Sequence, residues 1–409
     1  MKDSFAGSFT QQEPIPDEAI AAAVAVMRSG RLHRYNLAPG EAGEVALLEQ
    51  EFAAFTGARY CLAVASGGYA IATALRALGV GPGDRVLTNA FTLAPVPGAI
   101  AGLGAEPVLV ETTEALVIDL DDLRRKIAAS GARVLLLSHM RGHICDMEAL
   151  TGLCDAAGVR VVEDCAHTMG ARWNGVASGR HGAIGCYSTQ TYKHLNSGEG
   201  GLLISDDAEA MARAVLLSGS YMLYDRHRAA PPPEAFERIR LEVPNISGRM
   251  DNLRAAILRV QLRSLPERCV AWNARYRVIE QGLRNLPGLR LIDRPEAEEF
   301  VGSSFQFLLP GWAPEAVRRV VAGCAARGVE LKWFGAPEPV GYTSRYDSWR
   351  YCRGPELPRT DAVLAGLLDM RLPLTFSVQD CALVARIIAQ EVRAAHDAAG
   401  REPAGAARG

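Results

Sequence analysis

Lysine is rare in this chain of 409 residues, so chemistry that needs a primary amine has few candidates. Only four of the 44 basic residues are lysines, namely Lys2, Lys126, Lys193 and Lys332. Lys193 alone stands before a run of small residues, Asn196-Ser197-Gly198-Glu199-Gly200-Gly201. It is therefore the candidate nucleophilic amine.

Other reactive groups follow predicted strands. Asp164 comes directly after the apolar run Val159–Glu163, and Ser66-Gly67-Gly68 follows the run Tyr60–Ala65 and opens a helix. Ligands bind beyond the carboxyl ends of strands in an open parallel sheet, and a glycine-rich helix N-terminus suits a phosphate. Each signal alone has a plain alternative, which is a turn for the glycines and a cap for the carboxylate.

Taken together, a phosphate cradle, one carboxylate and one amine are the groups that pyridoxal phosphate requires. Lys193 would form the Schiff base with the cofactor aldehyde, and Asp164 would keep the pyridinium nitrogen protonated. Ser66–Gly68 and the hydroxyl of Ser188 would hold the phosphate. His167 would lie on the ring or bond its 3-oxygen, the alternative being a packed structural histidine.

The elements that must position these groups alternate along the chain. Five predicted strands alternate with helical runs, namely Tyr60–Ala65, Arg85–Thr88, Pro107–Val110, Arg133–Ser138 and Val159–Glu163. Ala183–Ser188 and Gly201–Ser205 add two more predicted strands. This alternation predicts an α/β fold with a doubly wound, mostly parallel sheet.

Three segments are expected. Residues 1–255 form the large cofactor-binding domain, 256–396 a smaller α+β C-terminal domain, and 397–409 a disordered tail rich in glycine, alanine and arginine. The first helix, Asp17–Ser29, is a candidate to pack with the small domain.

Composition excludes several function classes. The net charge of −2 argues against a nucleic-acid-binding surface, and no apolar run approaches the roughly 18 residues of a membrane span. Nine scattered cysteines without a secretion signal predict free thiols in the cytoplasm. A metal site at His139, His143 and Cys145 is an alternative use of those residues.

The sequence resembles the fold-type I, pyridoxal-phosphate-dependent nucleotide-sugar aminotransferases (the DegT/StrS family) from about Pro14 to Ala395. The matching segments are Arg28-Ser29-Gly30-Arg31-Leu32, Leu48-Glu49-Gln50-Glu51-Phe52, Gly79-Val80-Gly81-Pro82-Gly83-Asp84, Glu163-Asp164-Cys165-Ala166-His167, Ser188 five residues before Lys193, Gly198-Glu199-Gly200-Gly201, and Arg249-Met250-Asp251-Asn252-Leu253.

The resemblance implies amino transfer from an amino acid, typically L-glutamate, to a keto-sugar or keto-cyclitol in secondary-metabolite or sugar biosynthesis. It also implies a homodimer in which each active site is completed by the partner. A lyase, or a replacement or carbon–carbon bond-forming enzyme on an amino-acid-derived substrate, is the alternative on the same cofactor. A non-catalytic cofactor-binding protein is disfavoured, because mere binding does not need both Lys193 and Asp164.

The sequence departs from the family pattern at three places. Gly68 stands where family members have a threonine, and Phe91 and Leu93 flank Thr92 where an aromatic ring follows and stacks on the cofactor. Ser247-Gly248-Arg249 replaces an Asn-Tyr-Arg segment whose asparagine reaches the partner's phosphate, so Asn245 or Ser247 is the candidate for that contact.

Two regions bear on the substrate. Six aromatic residues within Trp333–Cys352, Tyr342 among them, would cover the substrate, or form an interface or ordinary packing. Arg226, His227, Arg228 and Arg249 would engage a carboxylate or phosphate, the alternative for the first three being a solvated loop.

Overall fold

The computed structural model describes residues 3–341, 345–352 and 354–399. Tyr342 and the predicted tail residues 400–409 lie outside this range. The strands are β1 (Tyr60–Val64), β2 (Arg85–Asn89), β3 (Glu106–Val110), β4 (Val134–Ser138), β5 (Arg160–Asp164), β6 (Arg172–Trp173), β7 (Val176–Ala177), β8 (Ile184–Ser188), β9 (Gly201–Ser205), β10 (Arg290–Leu291), β11 (Glu298–Glu299), β12 (Ser304–Leu308), β13 (Lys332–Trp333) and β14 (Leu367–Arg371).

The helices are α1 (Asp17–Ser29), α2 (Glu44–Thr56), α3 (Gly67–Ala77), α4 (Pro95–Gly102), α5 (Leu120–Ser130), α6 (Met147–Ala156), α7 (Ala208–Leu217), α8 (Glu234–Glu237), α9 (Asn252–Arg263), α10 (Leu265–Leu283), α11 (Pro314–Ala325), α12 (Pro358–Ala365) and α13 (Val378–Ala399). None of these helices is both long enough and apolar enough to cross a membrane.

The predicted doubly wound sheet is confirmed. Seven strands hydrogen-bond in the order β1-β9-β8-β5-β4-β2-β3, and every pair is parallel except the two that involve β9. The carboxyl ends of β4, β5 and β8 therefore lie at one edge, where Ser138 is opposite Asp164.

Alternating side chains of each strand enter two different cores, as the pleat requires. In β1, Cys61 and Ala63 join one cluster, whereas Leu62 and Val64 join the cluster on the other face. Because helices cover both faces, strands β1, β4 and β9 are mostly apolar and are buried along their whole length. A sheet buried on both faces holds the residues at its edge on a rigid base.

The small domain is built on a four-stranded antiparallel sheet, in the order β10-β12-β14-β13. Its core takes in Phe5 and Phe9 from the N-terminal segment. Helix α1 instead packs on α9, with an ion pair between Glu18 and Arg263. The segment before α1, rather than α1 itself, is thus the N-terminal part that joins the small domain.

Helix α10 belongs to both domains. Trp272 lies in the core of the large domain, and Tyr276, one turn later, lies in the core of the small domain. The two cores thus meet within α10. The predicted domain boundary at residue 255 instead falls inside α9. At the C-terminal end of the small domain, α13 continues to Ala399, beyond the predicted boundary at residue 396.

Candidate active site

Lys193 and His167 meet at the edge of the sheet. Lys193 lies in the turn after β8 and His167 in the turn after β5, and the Lys193 Nζ is 2.9 Å from the His167 Nε2. Both side chains are half-buried and line a common cavity. The turn after β8 is held by backbone hydrogen bonds, such as that from the N–H of Thr189 to the carbonyl of Gly200.

The protein environment favours neutral forms of both groups. Burial is the main cause that lowers the pKa of Lys193 from 10.5 to about 8, and Arg141 contributes in the same direction while Asp164 opposes it. Burial, followed by the charge of Lys193, lowers the pKa of His167 well below its ordinary value. A neutral imidazole therefore faces an amine that loses its proton near pH 8.

Asp164 is held by hydrogen bonds at the end of β5. Its side chain accepts one bond from the Ser138 Oγ at 2.9 Å and one from the N–H of Ala166 at 3.1 Å. Ser138 is fixed in turn by Asn89, whose Oδ1 accepts its N–H at 2.8 Å. Asp164 is 6% exposed, and it borders a cavity of about 90 Å³ that also touches Lys193.

The N-terminus of α3 closes the cavity of about 90 Å³ on the side away from Lys193, and Gly67, Gly68 and Ser188 are among its lining residues. The Ser66 Oγ caps α3 by accepting the N–H of Tyr69 at 3.1 Å. A Cβ on Gly67 would lie 2.7 Å from the Cβ of Ser188, so only glycine permits this approach. The first N–H groups of a helix lack partners within it, which suits this place to a phosphate.

Three predicted cofactor contacts, Ser66, Phe91 and Asn245, do not line either cavity. The Ser66 hydroxyl is used in capping α3. Phe91 is 1% exposed and packs edge-on against Phe334 at a centroid distance of 5.2 Å, whereas Leu93 lines both cavities. The reason is that the Phe91 ring turns into an apolar cluster between the two domains. Asn245 is exposed and lines neither cavity.

Sequence reasoning missed two arginines of the site. A larger cavity of about 270 Å³ opens beside Lys193 and His167, and Arg141 and Arg371 line it. The candidates Arg226, His227, Arg228 and Arg249 do not line it. Arg141 follows β4 in a left-handed backbone conformation, and Arg371 ends β14. No local pattern marks either residue, because the fold of the distant small domain brings them together.

The residues considered for a metal do not converge. His143 bonds to Gln306 at 2.9 Å and Cys145 lies near Met147. His139 instead faces Glu163, at 2.9 Å between the Nε2 and the Oε2. The buried Glu163 carboxylate also accepts the backbone N–H groups of residues 179, 181 and 182. The Glu163 oxygens therefore hold the turn formed by residues 179–182, and we assign the pair of His139 and Glu163 a structural role.

A family model described as the DegT/DnrJ/EryC1/StrS aminotransferase family matches residues 15–389. The chain is 33% identical over 286 residues to the dTDP-3-amino-3,4,6-trideoxy-alpha-D-glucose transaminase of Streptomyces venezuelae. The aligned residues cover 68% of this chain and 69% of that protein. It is 32% identical over 251 residues to the L-glutamine:2-deoxy-scyllo-inosose aminotransferase of Streptoalloteichus tenebrarius, 61% of this chain and 58% of that one.

Solved structures share this architecture along nearly the whole chain. The crystal structure of 3-amino-5-hydroxybenzoic acid synthase superposes with a TM-score of 0.80 at 25% identity, covering 96% of this chain and 100% of the other. The arrangement of both domains is therefore common to these proteins.

Proposed function

The chain belongs to the DegT/DnrJ/EryC1/StrS aminotransferase family, and from this premise we propose that it uses pyridoxal phosphate to transfer an amino group from an amino acid to a cyclic ketone. The observation that carries the proposal is the position of Lys193. Its amine lies 2.9 Å from a histidine, in a cavity that continues to Asp164 and to the N-terminus of α3.

The residues around the smaller cavity fit the cofactor. Gly67 and Ser188 approach so closely that a Cβ would fill the space between them, and together with the backbone of Gly68 they would hold the phosphate. Asp164, oriented by Ser138, would hold a proton on the ring nitrogen. When bound, the cofactor supplies an aldehyde that accepts the amino group and a ring that withdraws electrons.

Lys193 would carry the proton between the substrate carbon and the cofactor carbon. Its pKa of about 8 leaves a useful fraction of neutral amine near neutral pH. His167 would orient that amine through the bond at its Nε2. Because burial keeps His167 uncharged, it adds no positive charge that would lower the basicity of Lys193 further.

The acceptor we propose is a keto-sugar or a keto-cyclitol of secondary metabolism. Two relatives support this class, since one is named a transaminase of a dTDP-sugar and the other an aminotransferase of a scyllo-inosose. The donor is L-glutamate, as the sequence resemblance implies, or L-glutamine, which the name of the second relative carries.

We also propose that the protein acts as a homodimer in the cytoplasm. Asn245 is exposed and lies outside both cavities, which supports a role at a partner's site, and the nine free cysteines suit a reducing compartment. Random mixing of Lys193→Ala with Asn245→Ala subunits tests sharing, because half the dimers would regain one intact site. About a quarter of wild-type activity is expected, and a mixture no more active than its parents contradicts shared sites.

Borohydride reduction of the holoenzyme tests the central assignment. Peptide mapping should find the reduced cofactor on Lys193, and the other three lysines of the chain serve as internal controls. L-glutamate or L-glutamine should then convert the cofactor to its pyridoxamine form with release of the matching 2-oxo acid. A tag on another lysine would overturn the site, and no conversion with any amino acid would overturn the transfer reaction.

A further inference from the structure

The cavity of about 270 Å³ beside Lys193 is lined with cationic and neutral groups. Its described lining residues include two arginines and the lysine and no aspartate or glutamate. The remaining polar lining comes from Gln12, Gln190, Ser303 and Ser304, and from His167, which burial keeps neutral. A wall of this composition favours an anion over a neutral or cationic ligand.

Arg141 is fixed in this wall by the small domain. Its Nη2 lies 2.8 Å from the Asp369 Oδ2, and the two side chains are 6% and 0% exposed. Asp369 also accepts the Gln306 Nε2 at 2.7 Å, and Gln306 and Asp369 stand opposite each other on β12 and β14. A pair this deeply buried allows the arginine little freedom, so its direction is set before a substrate arrives.

The backbone around Arg141 is constrained as well. Its φ is 57°, in the left-handed region that residues other than glycine adopt at a cost. The next residue, Gly142, has a φ of 79°, and a Cβ there would lie 3.1 Å from the carbonyl of His167. The turn that carries Arg141 therefore packs tightly on the turn that carries His167, which couples the guanidinium to the reactive edge.

Arg371 enters the same cavity from the end of β14, opposite Ser304 of β12. Its Cζ lies 3.9 Å from the ring centroid of Tyr192, the residue before Lys193. Contact with an aromatic face restricts the movement of a guanidinium, so the Tyr192 ring helps to fix Arg371 at the cavity wall.

We propose that Arg141 and Arg371 form a subsite for a carboxylate, so that the cyclic ketone aminated by this protein carries a carboxylate group. Guanidinium groups match carboxylates with two parallel hydrogen bonds. The cavity is slightly smaller than the roughly 300–1,000 Å³ of sites for drug-sized ligands, which suits a single substituted ring. This inference rests on the proposed function for its reaction, although carboxylate binding is measurable without turnover.

Binding of unreactive ligands to the holoenzyme tests the subsite. Cofactor absorbance would report the Kd of 3-hydroxybenzoate and of 3-hydroxybenzyl alcohol, which differ in charge and little in shape. We expect the wild type to prefer the carboxylate, and Arg371→Gln to weaken carboxylate binding by roughly 10- to 100-fold with the alcohol unchanged. The exposed Arg393 of α13 provides the control variant Arg393→Gln, which should behave as the wild type.

Arg141 needs a second substitution, because its removal alone leaves the buried Asp369 charged. The double variant Arg141→Gln with Asp369→Asn keeps a neutral hydrogen-bonding pair, and it should lose the same preference. Equal binding of the two ligands by the wild type would overturn the proposal, as would a preference that survives in both variants. Tight binding of dTDP that depends on Arg371 would also overturn it in favour of a diphosphate site.

Half-reactions identify the substrate whose carboxylate is bound. The pyridoxamine form would be mixed with 3-oxocyclohexanecarboxylate or 3-(hydroxymethyl)cyclohexanone, and the pyridoxal form with L-glutamate. Selective loss with the carboxylated ketone in Arg371→Gln supports the proposal. Loss with L-glutamate alone overturns it by assigning the subsite to the donor. Failure of every amino donor in the wild type would instead refute the proposed transfer reaction, whatever the ligand affinities are.

Discussion

Gly67 and Gly68 are neighbours in the first turn of α3, and alanine should have opposite effects at the two positions. A Cβ at position 67 would lie 2.7 Å from the Ser188 Cβ and 3.1 Å from its Oγ, well inside the contact distance of about 3.5–4.0 Å. At position 68 the nearest atom would be the Pro95 Cβ at 4.0 Å, an ordinary contact.

These distances convert into different free energies. Overpacking of this kind costs about 1–3 kcal/mol, and its relief requires movement of Ser188 or of the α3 N-terminus, both of which would hold the phosphate. In the apoprotein these groups can move apart and relieve the strain, whereas a bound phosphate would hold them in place. The strain would then be present only in the complex, so Gly67→Ala should weaken pyridoxal phosphate binding by roughly 5- to 150-fold. Gly68→Ala should retain the affinity and stabilise the apoprotein by about 0.5–1 kcal/mol, the helical advantage of alanine over glycine.

Absorbance titration of the apoproteins with pyridoxal phosphate would measure both affinities, and urea unfolding would measure both stabilities. Gly68→Ala is the matched control, since it adds the same methyl group one residue away. The reasoning is refuted if Gly67→Ala binds the cofactor as tightly as the wild type, or if the two variants lose affinity equally.

Three further predictions follow from the contacts around the site and in the core. Asp164→Asn should slow the half-reaction with L-glutamate by at least about 100-fold while the cofactor stays bound, because an amide does not stabilise a protonated ring nitrogen. Stopped-flow absorbance would measure the rate, and a loss smaller than this would contradict the role of Asp164. In the apoprotein, Lys193 should be acylated with a midpoint near pH 8, and the double variant Arg141→Gln with Asp369→Asn should move this midpoint to higher pH, since it removes a cation that disfavours the ammonium form without leaving Asp369 charged and unpaired; a midpoint that stays or falls contradicts the assignment. Arg34→Ala should lower the free energy of unfolding by about 3–5 kcal/mol, because it leaves Glu49 charged and buried without the two 3.0 Å bonds of the pair; a loss below about 1 kcal/mol in urea unfolding would contradict this.

The main sheet was predictable because its information is local. Strands β1 to β4 are each a short apolar run followed by a helix, and that alternation is typical of a mostly parallel sheet covered on both faces. Strands such as β6, β7 and β11 escaped prediction, since two residues are too few to show a period. Helix α9 begins at Asn252 because the side chain of Asp251 caps it by accepting the N–H of Arg254.

The candidate site divides in the same way. Lys193, Asp164 and His167 follow strand ends in a fold that could be predicted, so their meeting could be expected, while their chemical roles stay predictions. Arg141 and Arg371 belong to different domains, and their convergence depends on how β12 and β14 dock on the turn after β4. That docking is encoded by buried pairs far apart in the chain, which no sequence spacing reveals.

The sharing of α10 between the two cores makes the domains one thermodynamic unit. Melting the turn around Trp272 would also withdraw Tyr276 from its neighbours, so calorimetry should record one transition for both lobes. An excised C-terminal fragment starting at residue 256 would expose the face of α10 that Trp272 normally buries, and it would collapse or aggregate. The shared helix α10 therefore keeps the two domains at a fixed distance on either side of Lys193 and His167.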